Sequence, residues 1–140
     1  MSALTPDLRG FLDREIVGVL ATTGADGRPR QSLVYFARDG DRLLVTTEAG
    51  RVKARDVLRT GWASLCVPGH EPPFPSATFA GPATILTADI GSATASIAQR
   101  VMGADEPPEP LTDEALAAAG RVILALNVER VGPVTYVSAS

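Results

Sequence analysis

Three runs of β-branched and apolar residues, each bounded by turn formers, constrain this chain more than any other feature. The run IVGVLATT, residues 16–23, meets Gly24-Ala25-Asp26-Gly27; QSLVYFA, residues 31–37, meets Asp39-Gly40-Asp41; and RLLVTT, residues 42–47, follows at once. Turn residues between such runs make hairpins, so the three strands form an antiparallel meander. The strand pattern returns in WASLCV (62–67), in a run over 77–87, in RVILALNV (121–128) and in a closing strand over 132–137. A proline inside the 77–87 run points to a bend or bulge at Gly81-Pro82.

Helical spacing appears between these strands. Thr5-Pro6 reads as a cap followed by proline at the first helical position, with Leu8, Phe11 and Leu12 on one face. Residues 51–60 carry Val52, Ala54, Val57 and Leu58 in a helical pattern that stops at Gly61. Asp89 is placed to cap a helix reaching Val101, with Ile90, Ala93, Ile97, Ala98 and Val101 on its apolar face. A brief helix follows near 113–119, and the proline-rich stretches 68–75 and 104–110 are connections. Six or seven strands are too many to lie flat on one small helix. The expectation is a mainly β (α+β) antiparallel barrel with helices plugging its ends, a β-sandwich being the competing layout. At 140 residues, 45% of them hydrophobic, a single domain over 1–140 is expected.

Charge and composition narrow the partners. A net charge of −3 argues against affinity resting on nucleic-acid phosphates. No apolar run approaches the roughly 20 residues of a bilayer span, and no basic segment precedes an apolar stretch at the start, so the cytoplasm is the expected address and no membrane is involved. The one cysteine, Cys66, cannot close an intrachain disulfide, and no Cys or His cluster has zinc spacing. Cys66 reads as a small buried hydrophobe.

The glycine-rich phosphate loop, the dinucleotide fingerprint, the nucleophile elbow and the zinc-binding histidine pair are all missing. The only histidine, His70, lies in a loop beside Glu71, with no orienting partner evident, and reads as a solvent-facing residue. What remains is the segment from Thr46 to Arg55. Thr46 and Thr47 end a strand and Gly50 breaks it; Arg51, Lys53 and Arg55 then alternate through the first turns of a helix, whose free N–H groups also favour an anion. The segment reads either as a phosphate site or as a solvated helix face. Lys53 is the one lysine among 13 basic residues, and its presence inside this cluster favours the phosphate. In the second strand Ser32, Val34 and Phe36 alternate with Leu33 and Tyr35: a platform for a flat ring, or ordinary core.

Taken in order, IVGVLATTGADGRPRQSLVYF, RLLVTTEAGRVKARDVLRTGWASLCV and RVILALNVERV resemble the pyridoxamine-phosphate-oxidase-like split β-barrel superfamily, and within it the actinobacterial branch that uses the deazaflavin coenzyme F420. The resemblance implies a six- to seven-stranded antiparallel split β-barrel and a homodimer with a cofactor in each cleft between subunits. It implies that the turn 26–29 and Ser32, Leu33, Val34, Tyr35 and Phe36 line the ring. It also implies that Thr46, Thr47, Arg51 and Lys53 take the phosphate with help from Arg55, that Arg28 and Arg30 track the coenzyme tail, and that the partner's 68–75 loop covers the ring through Phe74. Asp56 stands where the family often has asparagine, so that contact is not carried over. The implied activity is an F420-dependent oxidoreductase passing a hydride between the deazaflavin and a small unsaturated substrate. FMN on the same barrel, or a non-catalytic cofactor or haem binder with His70 as axial ligand, are the alternatives. Since the cofactor carries the chemistry, no catalytic side chain and no metal are assigned.

Overall fold

A computed structural model describes residues 2–137 of the chain. The meander is β1 (Val17–Thr23), β2 (Pro29–Asp39) and β3 (Arg42–Glu48), reversed by Gly27 at φ 80° and Gly40 at φ 61°. Around it stand α1 (Pro6–Arg14), α2 (Val52–Thr60), β4 (Trp62–Pro68), β5 (Ser76–Leu86), α3 (Gly91–Met102), α4 (Asp113–Ala118), β6 (Arg121–Asn127) and β7 (Arg130–Thr135). β2 begins two residues before the expected start, because Pro29 and Arg30 already pair with Thr23 and Thr22.

Every pairing is antiparallel, and the pairings close a ring. β1 pairs with β2 and β4, β3 joins β2 to β6, and β5 joins β6 to β4, with β7 added along β5. This six-stranded closed barrel with a seventh strand excludes the sandwich. The Gly81-Pro82 signal marks the place where β5 changes partners: residues 76–82 pair with β4 and residues 83–86 with β6. A Cβ at Gly81 would lie 1.8 Å from the carbonyl oxygen of Asn127, so no other residue fits that crossing.

Strand alternation fills the barrel with Leu20, Val34, Phe36, Leu43, Val45, Leu65, Phe79, Leu124 and Leu126. Leu8, Phe11 and Leu12 of α1 and Val57 of α2 join this core, and each such side chain contributes about 1.5–3 kcal/mol by leaving water. A second cluster lies outside the barrel, where Ala37, Leu44, Ile123 and Ala125 meet Ile90, Ile97 and Leu116. Thus α1 and α2 contribute to the interior, while α3 and α4 cover an outer face.

One local expectation holds and others are corrected. Thr5 caps α1 as its sequence suggests, accepting the Leu8 N–H at 3.3 Å. Asp89 caps nothing: Ile90 is the residue preceding α3, and Asp89 sits at φ 57° with its own N–H donating to the Asp113 carboxylate at 3.1 Å. Val101 is exposed rather than on the buried face. Cys66 points outward from β4, half-buried opposite Val19 and Thr78, because its neighbour Leu65 takes the inward position. The last strand starts at Arg130, opposite Ala80, and ends at Thr135. No helix among the described residues is long and apolar enough to cross a membrane.

Candidate functional site

The start of β2 and the start of α2 converge on a cleft of about 320 Å³, lined by Thr22, Arg30, Gln31, Ser32, Arg51, Val52 and Lys53. The chain turns into α2 through the Arg51 N–H bond to the Glu48 carbonyl, 3.0 Å. At this end α2 has neither of the devices that usually settle a helix terminus. Arg51 in the capping position makes no side-chain capping bond, and no acidic residue occupies the first turn. The first N–H groups and the positive end of the helix dipole therefore lie beside two cations.

These cations differ in their partners. Arg51 faces Glu48 at 3.7 Å, whereas no carboxylate among the described residues comes within ion-pair distance of Lys53. Partial burial, reinforced by the Arg51 charge and opposed by Glu48, lowers the Lys53 pKa from its ordinary value. A half-buried ammonium without a counter-ion, beside uncapped helix N–H groups, is a place where an anion is favoured.

Behind the cleft lies a buried carboxylate. Asp56 is 2% exposed and accepts from the Thr22 hydroxyl at 2.9 Å and from Arg59 at 3.1 Å, while the Arg30 Nε stands 3.3 Å from its Oδ2. Arg59 also donates to the Thr23 carbonyl. Burial alone would push the Asp56 pKa up. The bonds from Thr22 and Arg59, with the charges of Arg30 and Arg59, outweigh it and hold the carboxyl below its ordinary value.

The fold gathers some of the residues named from sequence and separates others. Ser32, Arg51 and Lys53 share the cleft. Val34 points into the barrel, 7% exposed, while Leu33 and Tyr35 point outward, 74% and 48% exposed, opposite Val19 and Val17 of β1. Thr46 and Thr47, as strand neighbours, face opposite ways. Thr47 is buried, and Thr46 accepts a bond from Arg121 at 2.7 Å in a separate hollow shared with Tyr35 and α3. Arg55 is exposed on α2 and lines neither hollow. Thr22 and Gln31 are further cleft residues; the hairpin register, which sets Thr22 opposite Arg30, is the signal that places Thr22 there.

His70 has the partner its sequence context did not reveal. Its Nδ1 lies 2.9 and 3.0 Å from the two carboxylate oxygens of Glu15, which is itself buried at the end of α1. That contact and the Glu15 charge raise the imidazole pKa above its ordinary value. The pair borders a larger cavity of about 430 Å³ with Ile16, Val17 and Pro68, but Arg14 is its only arginine and it has no lysine. No group of three or more potential metal ligands occurs among the described residues.

With this geometry in hand, the chain can be placed among known proteins. The family model described as pyridoxamine 5'-phosphate oxidase matches residues 4–135. A comparison with curated proteins finds no match. Among solved structures, the chain is similar to an F420 reductase, with TM-score 0.70 and 24% identity over 89% of this chain and 94% of that one. It is similar also to a conserved hypothetical protein of Mycobacterium tuberculosis (TM-score 0.72, 22% identity, 94% and 86% covered). The haem storage protein HutZ of Vibrio cholerae shares the fold as well (TM-score 0.65, 19% identity, 96% of each chain). The closed barrel and a family match spanning nearly its whole length place the chain in the pyridoxamine 5'-phosphate oxidase family.

Proposed function

We propose that the chain is an oxidoreductase that binds coenzyme F420 with its phosphate in the β2–α2 cleft and its ring along the outer side of β2. One observation carries this reading: the uncapped start of α2, with the half-buried Lys53, unpaired among the described residues, beside it, opens into the cleft. Lys53 would hold the phosphate as a point charge, Arg51 through a fork of donors, and Ser32 through its hydroxyl. Gln31, at the cleft, lies on the same face of β2 as Leu33 and Tyr35, and from Gln31 to Tyr35 the strand advances roughly 13 Å, enough to carry a ligand from the phosphate end to those exposed side chains.

The same reading calls for a homodimer. A cleft of about 320 Å³ accommodates a phosphate and the chain attached to it, not a tricyclic ring as well. The ring would rest on Leu33 and Tyr35, which one chain leaves open to water, and the second copy of a homodimer would provide the other wall and exclude solvent. Such a coenzyme supplies the hydride and accepts it back, which leaves the protein to bind, orient and desolvate. The similar F420 reductase supports this choice of coenzyme, as does Arg28, exposed at the β1–β2 turn where a carboxylate-bearing tail would pass. The substrate would be a small unsaturated organic molecule.

Titration of the purified protein with F420 and with FMN separates the coenzymes. Tighter binding of F420 is expected. Flavin retained at near-unit occupancy after purification from a host that makes only flavins would overturn the choice and leave an FMN enzyme on the same cleft. A second reading, haem binding, draws on the Glu15-oriented imidazole of His70 and on the similarity to HutZ. It predicts that His70→Ala changes the Soret band of added haem; an unchanged band removes it.

A further inference from the structure

We infer that Asp56 is a positioning residue for the anion cleft, holding Arg30 so that its free guanidinium N–H groups point at the bound phosphate. The inference rests on the coenzyme reading above and adds to it a buried negative charge whose effect on anion binding has the opposite sign to the one its charge alone would give.

Two of the Asp56 partners, Thr22 and Arg30, are themselves walls of the cleft. Arg30 meets the carboxylate through Nε, at 3.3 Å, which leaves its two terminal nitrogens free. Its side chain is 45% exposed, so without an anchor it would sample many rotamers, and ordering it on ligand binding would cost entropy. The anchor is rigid. Asp56 is buried on α2, and Thr22 and Arg59 take up further acceptor positions, so the carboxylate is fixed from three directions. The Thr22 hydroxyl donates to Asp56 and so cannot donate to an anion, which leaves Arg30 as the cation on the strand side of the cleft, opposite Arg51 and Lys53. Asparagine carries no charge, so the ion pair that holds the Arg30 guanidinium is lost, and its single oxygen cannot serve both the side shared by Thr22 and Arg30 and the side of Arg59.

Simple electrostatics and positioning therefore disagree about Asp56→Asn. Removing a negative charge near the cleft should tighten anion binding if charge alone matters. Loss of the anchor should weaken it. The test titrates wild type, Asp56→Asn and Arg30→Lys with FMN against riboflavin, and with F420 against its phosphate-free deazaflavin chromophore. The difference within each pair isolates the phosphate. Asp56→Asn should weaken the phosphate-bearing member about tenfold, the size of one charge-assisted hydrogen bond, and leave the phosphate-free member unchanged. Arg30→Lys keeps the charge but has no second nitrogen to anchor, so it should lose a similar factor, and the double variant should lose no more than either alone. Arg30→Lys also serves if Asp56→Asn does not fold, since Arg30 is largely exposed. Unchanged or tighter phosphate-dependent binding in Asp56→Asn, or full affinity in Arg30→Lys, overturns the inference. A wild type that binds neither member of either pair, or both members equally, overturns the coenzyme reading instead.

Discussion

The first turns of α2 and α4 face the same physical problem and answer it in opposite ways. α4 begins with Thr112, whose hydroxyl accepts the Ala115 N–H at 3.1 Å, and continues with Asp113 and Glu114. One of its orphan N–H groups is capped by a side chain, and its dipole meets acidic residues within the chain. α2 begins with Arg51, Val52 and Lys53: no cap, no acid, and two cations at the positive end of the dipole. A sequence selected for helix stability alone would avoid that arrangement. The comparison teaches that α2 is locally unfavourable where the proposed anion cleft opens, as expected if that helix start is kept for a ligand rather than for stability. The same helix contains the contrast again one turn later, where Asp56 gives Arg30 and Arg59 the counter-ion that Lys53 lacks among the described residues.

Perturbing each helix start in turn probes this contrast. The largest effect should come from Arg51→Ala with Lys53→Ala. Affinity for the phosphate-bearing coenzyme, followed by fluorescence titration, should fall roughly 30- to 100-fold, because two charge-assisted contacts are lost and the exposed Arg51 contributes the smaller share. Its melting temperature should hold or rise, and an unaltered affinity would place the phosphate elsewhere. Arg51→Asp should separate stability from binding. It installs a capping carboxylate at the positive end of α2, so denaturant unfolding should show a gain of about 1 kcal/mol while coenzyme affinity drops at least about tenfold. A variant that loses both would mean that Arg51 supports the helix in some other way. Thr112→Ala, at the conventional terminus, should cost about 1 kcal/mol of stability and leave coenzyme affinity untouched. The smallest effect concerns His70. Its pKa is raised by Glu15, so the contribution of this pair is present below the ordinary histidine value near 6.5 and is lost as pH rises through the folded value. Wild type should lose melting temperature across that window relative to Glu15→Gln, and parallel curves would show that the contact is silent.

Much of the fold was legible in the sequence because its signals are local. Period-two runs ending in Gly24-Ala25-Asp26-Gly27 and Asp39-Gly40-Asp41 became hairpins, and Thr5-Pro6 became the start of a helix. Gly81-Pro82 announced an irregularity that proved to be the point where one strand serves two neighbours. Asp89 misled because a capping residue type before an apolar face is only half of a cap; the backbone there turns left-handed and its N–H goes to Asp113.

The site was legible only in part, for a different reason. Arg51 and Lys53 announce themselves within five residues of a strand end, but the residues that complete the cleft come from a hairpin whose register the sequence does not print. Asp56 meets Thr22 across 34 positions, and His70 meets Glu15 across 55. Thr46 and Thr47 face opposite ways, as adjacent strand residues do, so a single phosphate would meet them from different sides.

The account stands on an anion seated at the first turn of α2, and the amide signals of that turn report on it directly. Adding the preferred coenzyme to isotope-labelled protein should move the backbone amide resonances of Val52, Lys53 and Ala54, and the phosphate-free chromophore should leave those three in place while still shifting Leu33 and Tyr35. If the phosphate-bearing coenzyme binds and those three amides do not respond, the phosphate lies elsewhere and the assignment of the cleft is wrong.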